Sequence, residues 1–382
     1  MLHTGNKSID VFKLKSMPHF KKSICFLAQF PPPMHGLSKA VETLYNSFLN
    51  KEFCFSKIDI KDNKKWVRSI YRLLTTNSDV VYFTISQSVA GNLRDLLFLA
   101  LIRLRRKKCL VHLHGGYYRD LIEKDCNSLQ RRLNYFFLSK LVGCIVLSDS
   151  LRKIFEGIVS GDKIFVVPNC VDTEYLLDRD NAIQKTRETF SKEKLDILYL
   201  SNFIEEKGYR DVLDLVRYMK LQGDNRFKFH FAGKFFNNTD ETFFHRYISE
   251  NDLSDCIDYY GVVDHQEKNQ LLKRCDIFML LTHYPKEGQP IAILEAMGNA
   301  EYIISTRHAG IPDIVTHGIN GTLLDINEID AEKMYHEICL LFDNRKILAD
   351  IQKGNHIYVV ENYQERQYID NMKKVFQIVL SQ

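Results

Sequence analysis

The chain has 382 residues, 45% of them hydrophobic and 26% charged, with nine cysteines and a net charge of +4 at pH 7. That length accommodates two domains with separate cores, and the composition is that of a soluble globular protein. The longest clean apolar run, residues 96–102, is far too short to span a bilayer, and the N-terminal MLHTGNKSIDVFKLK offers no signal-peptide core, so a chain that does not cross a membrane is expected. The cysteines are odd in number, form no CxxC and sit mostly in apolar runs, as reduced core thiols of a cytoplasmic protein would.

Charge is unevenly distributed. Residues 1–180 hold 28 Lys and Arg against 17 Asp and Glu, a net of +11, and the remainder is net −7. The basic pieces, residues 61–68 and 103–108, adjoin apolar segments that include the chain's one tryptophan, Trp66. That pattern suits a peripheral contact with an anionic membrane surface, the alternative being a solvated basic face. Zinc-finger spacing and RNA-binding signatures are absent, so no nucleic-acid partner is expected.

Short apolar runs alternating with longer amphipathic ones predict an α/β chain with parallel sheets. The first strand is expected at residues 23–28. It is stopped by Pro31-Pro32-Pro33-Met34-His35-Gly36, and a helix over about 37–48 follows, with Ser38 as a possible cap. Further strands are expected at 80–84, 109–113, 144–147 and 164–167. His112 and His114 fall on the same face at the end of the second of these, before Gly115 and Gly116. His114 reads as a cleft imidazole and His112 as a structural one. The pair lacks a third ligand at metal-binding spacing. Residues from about 175 to 194 are polar and poor in large apolar groups, and 181–194 is assigned as a linker between domains at 1–180 and 195–363. The second series of strands is expected at 196–200, 227–232, 257–260, 277–281, 302–306 and 321–324. An amphipathic segment at 364–380 follows. Two doubly wound domains facing across a cleft fit this order, with ligands beyond the carboxyl ends of the strands.

Two local patterns carry chemistry. After the strand ending at Leu200, Lys207 and Gly208 stand at a strand-to-helix turn. There a cation and a helix dipole would act on one anion, such as a diphosphate. In residues 284–315, YPKEGQPIAILEAMGNAEYIISTRHAGIPDIV, Glu287 and Glu295 flank an expected helix start at Gly288-Gln289-Pro290-Ile291, with Pro290 as the first helical residue. Acidic groups beside free helix-start N–H groups suggest a nucleotide-sugar site.

At these residues the chain resembles the retaining family-4 glycosyltransferases, which have the GT-B fold. Their E-x7-E element matches Glu287 and Glu295, and the match continues through Thr306, Gly310-Ile311-Pro312-Asp313 and His317-Gly318-Ile319-Asn320-Gly321. Family members usually have Gly and Pro where Ala300 and Tyr302 stand, and Glu in place of Asp313. The resemblance covers nearly the whole chain from about Ser23. It implies donor contacts at Gly36, Asn202, Lys207, Gly208, Gly288, Gln289, Pro290, Ile291 and Glu295, with Glu295 on the ribose hydroxyls and Glu287 on the donor sugar. It also implies catalytic roles for His114, Lys207 and Glu287, and a C-terminal helix (364–382) returning to the first domain. Lys207 takes the lysine position of the family's Arg-x4-Lys element, whose arginine position holds Asn202, an uncharged donor. His35 would face the acceptor, the alternative being a solvated turn histidine. Asp178-Arg179-Asp180 has the DxD pattern by which GT-A enzymes hold a metal, but it lies in the polar linker and reads as solvated charge, so no metal or other cofactor is expected. The implied activity is front-face transfer from a nucleoside-diphosphate-sugar to a glycan or polyprenyl-diphosphate-linked acceptor. The expected setting is bacterial surface polysaccharide assembly, at the cytoplasmic face of the membrane. The rival readings are a 2-epimerase-like GT-B enzyme, against which the full EGxP…LEAM element argues, and an inactive donor-binding subunit, which the loss of arginine at Asn202 makes conceivable. A dinucleotide oxidoreductase is disfavoured because no GxGxxG follows a strand.

Overall fold

The computed structural model describes residues 21–32, 36–61 and 66–382. Twelve strands form two sheets among these residues. The first sheet holds β1 (Ser23–Ala28), β2 (Cys54–Asp59), β3 (Val80–Thr84), β4 (Lys108–His112), β5 (Gly143–Val146) and β6 (Ile164–Val166), in the order β2-β1-β3-β4-β5-β6. The second holds β7 (Leu195–Leu200), β8 (Phe227–Ala232), β9 (Ile257–Gly261), β10 (Ile277–Leu280), β11 (Tyr302–Thr306) and β12 (Gly321–Leu324), in the order β9-β8-β7-β10-β11-β12. Every pairing is parallel.

Parallel strands covered on both faces need unbroken apolar runs. VVYFT of β3, IFML of β10 and YIIST of β11 are buried at every residue for this reason. The edge strand β2 (CFSKID) has no counterpart in the expected elements. It buries only Ile58, so its sequence lacks the apolar run that marks its neighbours. The two faces of the first sheet carry separate cores, and one large core surrounds the second sheet. The helix Tyr209–Leu221 buries Tyr209, Val212, Leu213, Val216 and Met219, a stripe at helical spacing.

Residues 181–194, expected as a linker, contain most of the helix Arg179–Glu188. Asp178 caps that helix by accepting from Asn181 N at 2.9 Å, so the Asp178-Arg179-Asp180 triplet is a helix start. Lys185 is buried and donates to the carbonyls of Leu272 and Asn299 at 2.9 and 2.6 Å, which explains how so polar a helix packs on the second sheet's layer. The last helix, Glu365–Ser381, buries Tyr368, Ile369, Met372, Val375, Phe376 and Val379 in the core of the first sheet, beside Phe26 and Tyr82. The chain thus passes between the layers twice, and the two passages are tied where Val171 N donates to Tyr363 O at 2.9 Å.

Among the described residues, no helix is long and apolar enough to cross a membrane. All nine cysteines are free, and six are buried.

Candidate active site

In a doubly wound sheet, the crevice lies where neighbouring strands send their connections to opposite faces. In the first sheet that point is between β1 and β3, and in the second between β7 and β10. The two points face each other across a cleft of about 650 Å³. Its walls are the loops that leave the strands: Gln29 after β1, Ile85 and Gln87 after β3, His114 after β4, Asn169 after β6, Ser201 after β7, and Tyr284 with residues 286–292 after β10. A second chamber of about 310 Å³, lined by Lys39, Cys170, Asp172, Tyr175, Lys268 and Glu295 among others, adjoins it, with Gly36 and Ile291 common to both.

Lys207 ends a short 3-10 turn, Glu205–Lys207, before the helix Tyr209–Leu221. Gly208 between them has φ +79°, and a Cβ there would lie 2.3 Å from Leu281 O, so only glycine turns the chain this close to β10. Lys207 Nζ reaches Glu287 Oε2 at 2.5 Å and lies 5.0 Å from the centre of the Tyr284 ring. Thr282 Oγ1 donates to the same carboxylate oxygen at 3.2 Å. The loop is also tied to the Lys207 turn, since His283 N donates to Glu206 O at 2.8 Å.

His114 lies just past β4 and stacks on His112, ring centres 3.9 Å apart. His112 is fully buried, and burial, followed by the neighbouring His114, holds its pKa well below the usual imidazole value. His112 is therefore neutral, with its Nδ1 2.7 Å from the Tyr82 hydroxyl. The glycines beyond His114 form a backbone seam between the domains. A Cβ on Gly116 would stand 2.4 Å from Glu287 O, and one on Gly288 would stand 2.9 Å from His114 O. Gln289 fastens the seam: its Oε1 accepts from Asn169 N at 2.8 Å and its carbonyl accepts from Asn169 Nδ2 at 2.9 Å. Ser150 N donates to Asp313 Oδ2 at 3.0 Å farther along.

The helix Ile291–Gly298 opens into the cleft. Pro290 is its N-cap, with φ −65° and ψ 116°, so the helix starts one residue later than expected, at Ile291. The extended ψ keeps Pro290 outside the helix while its ring still fixes the entry angle. Glu295, one turn in, faces the smaller chamber, where Lys268 Nζ meets its Oε1 at 2.6 Å.

Of the expected site residues, His114, Lys207, Glu287, Gly288, Gln289, Pro290 and Ile291 line the cleft, Gly36 lines both chambers, and Glu295 lines the smaller one. Gly208 is buried behind the Lys207 turn. Asn202 is exposed and is not among the residues lining either chamber. Ser38 is buried inside the first helix, Gly36–Asn46, and not at its cap. His35 lies outside the described residues. Lys39, Tyr175, Lys268 and Lys286 also line the chambers and escaped the sequence reading. Lys268 stands on an ordinary polar helix, His265–Arg274, and its partner is 27 residues away, so no local pattern marks it. Among the described residues, no cluster of three or more His, Cys, Asp or Glu side chains could hold a metal ion.

Residues 180–356 match the family model described as glycosyl transferases group 1. The amylovoran biosynthesis glycosyltransferase AmsK of Erwinia amylovora is 30% identical over 141 residues, 36% of this chain and 34% of that protein. The UDP-Gal:alpha-D-GlcNAc-diphosphoundecaprenol alpha-1,3-galactosyltransferase of Escherichia coli is 23% identical over 98% of this chain and 94% of its own. The crystal structure of Anabaena HepE in complex with UDP superimposes with a TM-score of 0.72 at 13% identity, covering 93% of this chain and 99% of that one. Residues 180–356 therefore resemble group 1 glycosyl transferases, and the two sheets together have the GT-B fold.

Proposed function

We propose that this chain is a retaining, metal-independent glycosyltransferase. It would move a sugar from a nucleoside-diphosphate-sugar to a hydroxyl of a glycan or polyprenyl-diphosphate-linked acceptor in surface polysaccharide assembly. The observation that carries the reading is the Lys207–Glu287 pair, 2.5 Å apart, set beside a helix start and across from His114 where the two switch points meet. In this reading the donor diphosphate lies between the Lys207 ammonium and the N–H groups at the start of Ile291–Gly298, which line one cleft and where cation and dipole favour the same charge. Glu287 and His114 then flank the donor sugar, and Glu295 takes the ribose. Lys286, which lines the cleft, is a candidate for the second cation that Asn202 does not supply.

In the proposed step the anomeric carbon–phosphate oxygen bond breaks and the bond to the acceptor oxygen forms on the same face. The acceptor's proton passes to an oxygen of the leaving phosphate. Lys207 and the helix start stabilise the charge that develops there, and the protein's main contribution is orientation. The UDP complex of HepE makes UDP the first nucleotide to test, and the lipid-linked substrate named for the E. coli relative supports an acceptor of that class. The first domain, the acceptor side in this reading, is net basic over residues 1–180, and it exposes Trp66, Tyr71, Leu93 and Leu97 on two helices packed together, Trp66–Thr75 and Val89–Leu104. These features support a peripheral position on the cytoplasmic face of the membrane.

The test is NMR of the product formed from UDP-sugars and a lipid-linked acceptor, with and without EDTA. A product with the donor's anomeric configuration, formed equally in EDTA, is expected. An inverted linkage or loss of turnover in EDTA contradicts the retaining or the metal-independent part respectively, and nucleotide binding without transfer to any acceptor favours an inactive subunit.

A further inference from the structure

We propose that Lys268 is a positioning residue for the donor's ribose: it fixes one oxygen of Glu295 so that the other meets the 2′- and 3′-hydroxyls, and so sets the preference for ribonucleotides over 2′-deoxyribonucleotides. The inference rests on the donor-site reading above, which places the ribose at Glu295.

The Glu295 side chain is 8% exposed and the Lys268 side chain 21%. Lys268 Nζ lies 2.6 Å from Oε1, and among the described residues no group hydrogen-bonds Oε2. One oxygen is therefore tethered, and the carboxylate borders a chamber of about 310 Å³. The tether is itself held. Nζ sits 4.0 Å from the centre of the Tyr175 ring, whose other neighbour is the His265 ring at 4.7 Å. A capping box between Asp264 and Glu267 and the buried Leu271 and Leu272 fix the helix that carries the lysine. The other lysine of the chamber, Lys39, is engaged by Asp172 Oδ2 at 2.8 Å and cannot stand in for Lys268 without leaving it.

The same arrangement recurs at Glu287, where Lys207 takes one carboxylate oxygen. The two differ in one respect. Thr282 also supports Glu287, whereas Lys268 is the sole side chain on Glu295 among the described residues. A buried carboxylate deprived of its one charged donor loses its fixed orientation and seeks another, and a ribose diol requires that orientation.

Isothermal titration of the full chain with UDP, GDP and ADP, each beside its 2′-deoxy counterpart, tests this in wild type, Lys268→Met, Lys268→Arg and Glu295→Gln. The wild type is expected to favour a ribonucleotide by about tenfold, the scale of one hydrogen bond to a charged group. Lys268→Met should shrink that ratio to about twofold or less by weakening the ribonucleotide alone, and Lys268→Arg should restore it, since arginine keeps the charge-assisted bond. An unchanged ratio in Lys268→Met, or tighter ribonucleotide binding that marks the lysine as a block, overturns the inference if Glu295→Gln has lost the ratio. If Glu295→Gln keeps the ratio, or no nucleotide binds the wild type, the donor-site reading itself is at fault.

Discussion

Replacing Lys207 with methionine separates what this lysine does for the fold from what it does for a ligand. The side chains of Lys207 and Glu287 are 15% and 9% exposed, so their ion pair is largely screened from water. Removing the lysine leaves the carboxylate with Thr282 Oγ1 at 3.2 Å as its remaining side-chain donor. Breaking a buried pair from one side costs about 3 kcal/mol, because the other charge stays behind without its partner. Glu287→Gln in the same chain removes that stranded charge, so the double variant should recover about 2 kcal/mol of the loss. Ligand affinity should behave differently. A charge-assisted contact to a diphosphate contributes about 1.5–3 kcal/mol, a factor of about 10 to 150 in Kd. That loss should persist in the double variant. Urea unfolding and isothermal titration with UDP read the two effects separately. Wild-type UDP affinity in Lys207→Met, alongside the expected loss of stability, would refute the phosphate role and leave the lysine as a structural counter-ion.

Other consequences follow from the same geometry. A Cβ at Gly288 meets His114 O at 2.9 Å, Gly115 Cα at 3.0 Å and Leu147 Cδ1 at 3.0 Å, all on the first domain. Gly288→Ala should therefore push the seam apart by a few tenths of an ångström and lower kcat by about tenfold or more, with a smaller loss of UDP affinity, checked by kinetics beside titration. Burial, then the hydrogen bond and charge of Asp172, push the Glu365 carboxyl up to about 7. Because the folded value exceeds the unfolded one, this group's contribution to stability is complete below the ordinary carboxylate range and is lost as pH rises through about 7. Melting temperatures from pH 5 to 8 should accordingly fall less in Glu365→Gln than in wild type, and parallel curves would contradict the assignment. Flotation with anionic vesicles should recover the wild type at low salt. Trp66→Ser combined with Leu97→Ser should weaken recovery, as should added salt, which screens the basic side chains worth about 1 kcal/mol each near such a surface; wild-type recovery that ignores both would argue against membrane docking.

Much of the fold is written locally. Strands β1, β3, β8, β11 and β12 occupy the residues expected of them, because a parallel strand buried on both faces must be an apolar run. β2 escaped because an edge strand with one buried residue carries no such run. The helix Arg179–Glu188 escaped because its anchor is a buried lysine and its composition reads as a linker. Glu287 and Glu295 were legible for a related reason: their spacing around a helix start is a local property, and both border a chamber of the cleft.

What those glutamates touch was decided only by the tertiary structure. Lys207 lies 80 residues from Glu287, and Lys268 lies 27 from Glu295 on a helix that looks like any solvated one. His114 reaches the cleft from the other domain, and Gly116 and Gly288 matter because two backbones meet there with no room for a Cβ. Periodicity and turn chemistry act over a few residues and can be read along the chain. An ion pair or a backbone seam depends on which strand ends are brought face to face, and that is set by the order of strands in two separate sheets.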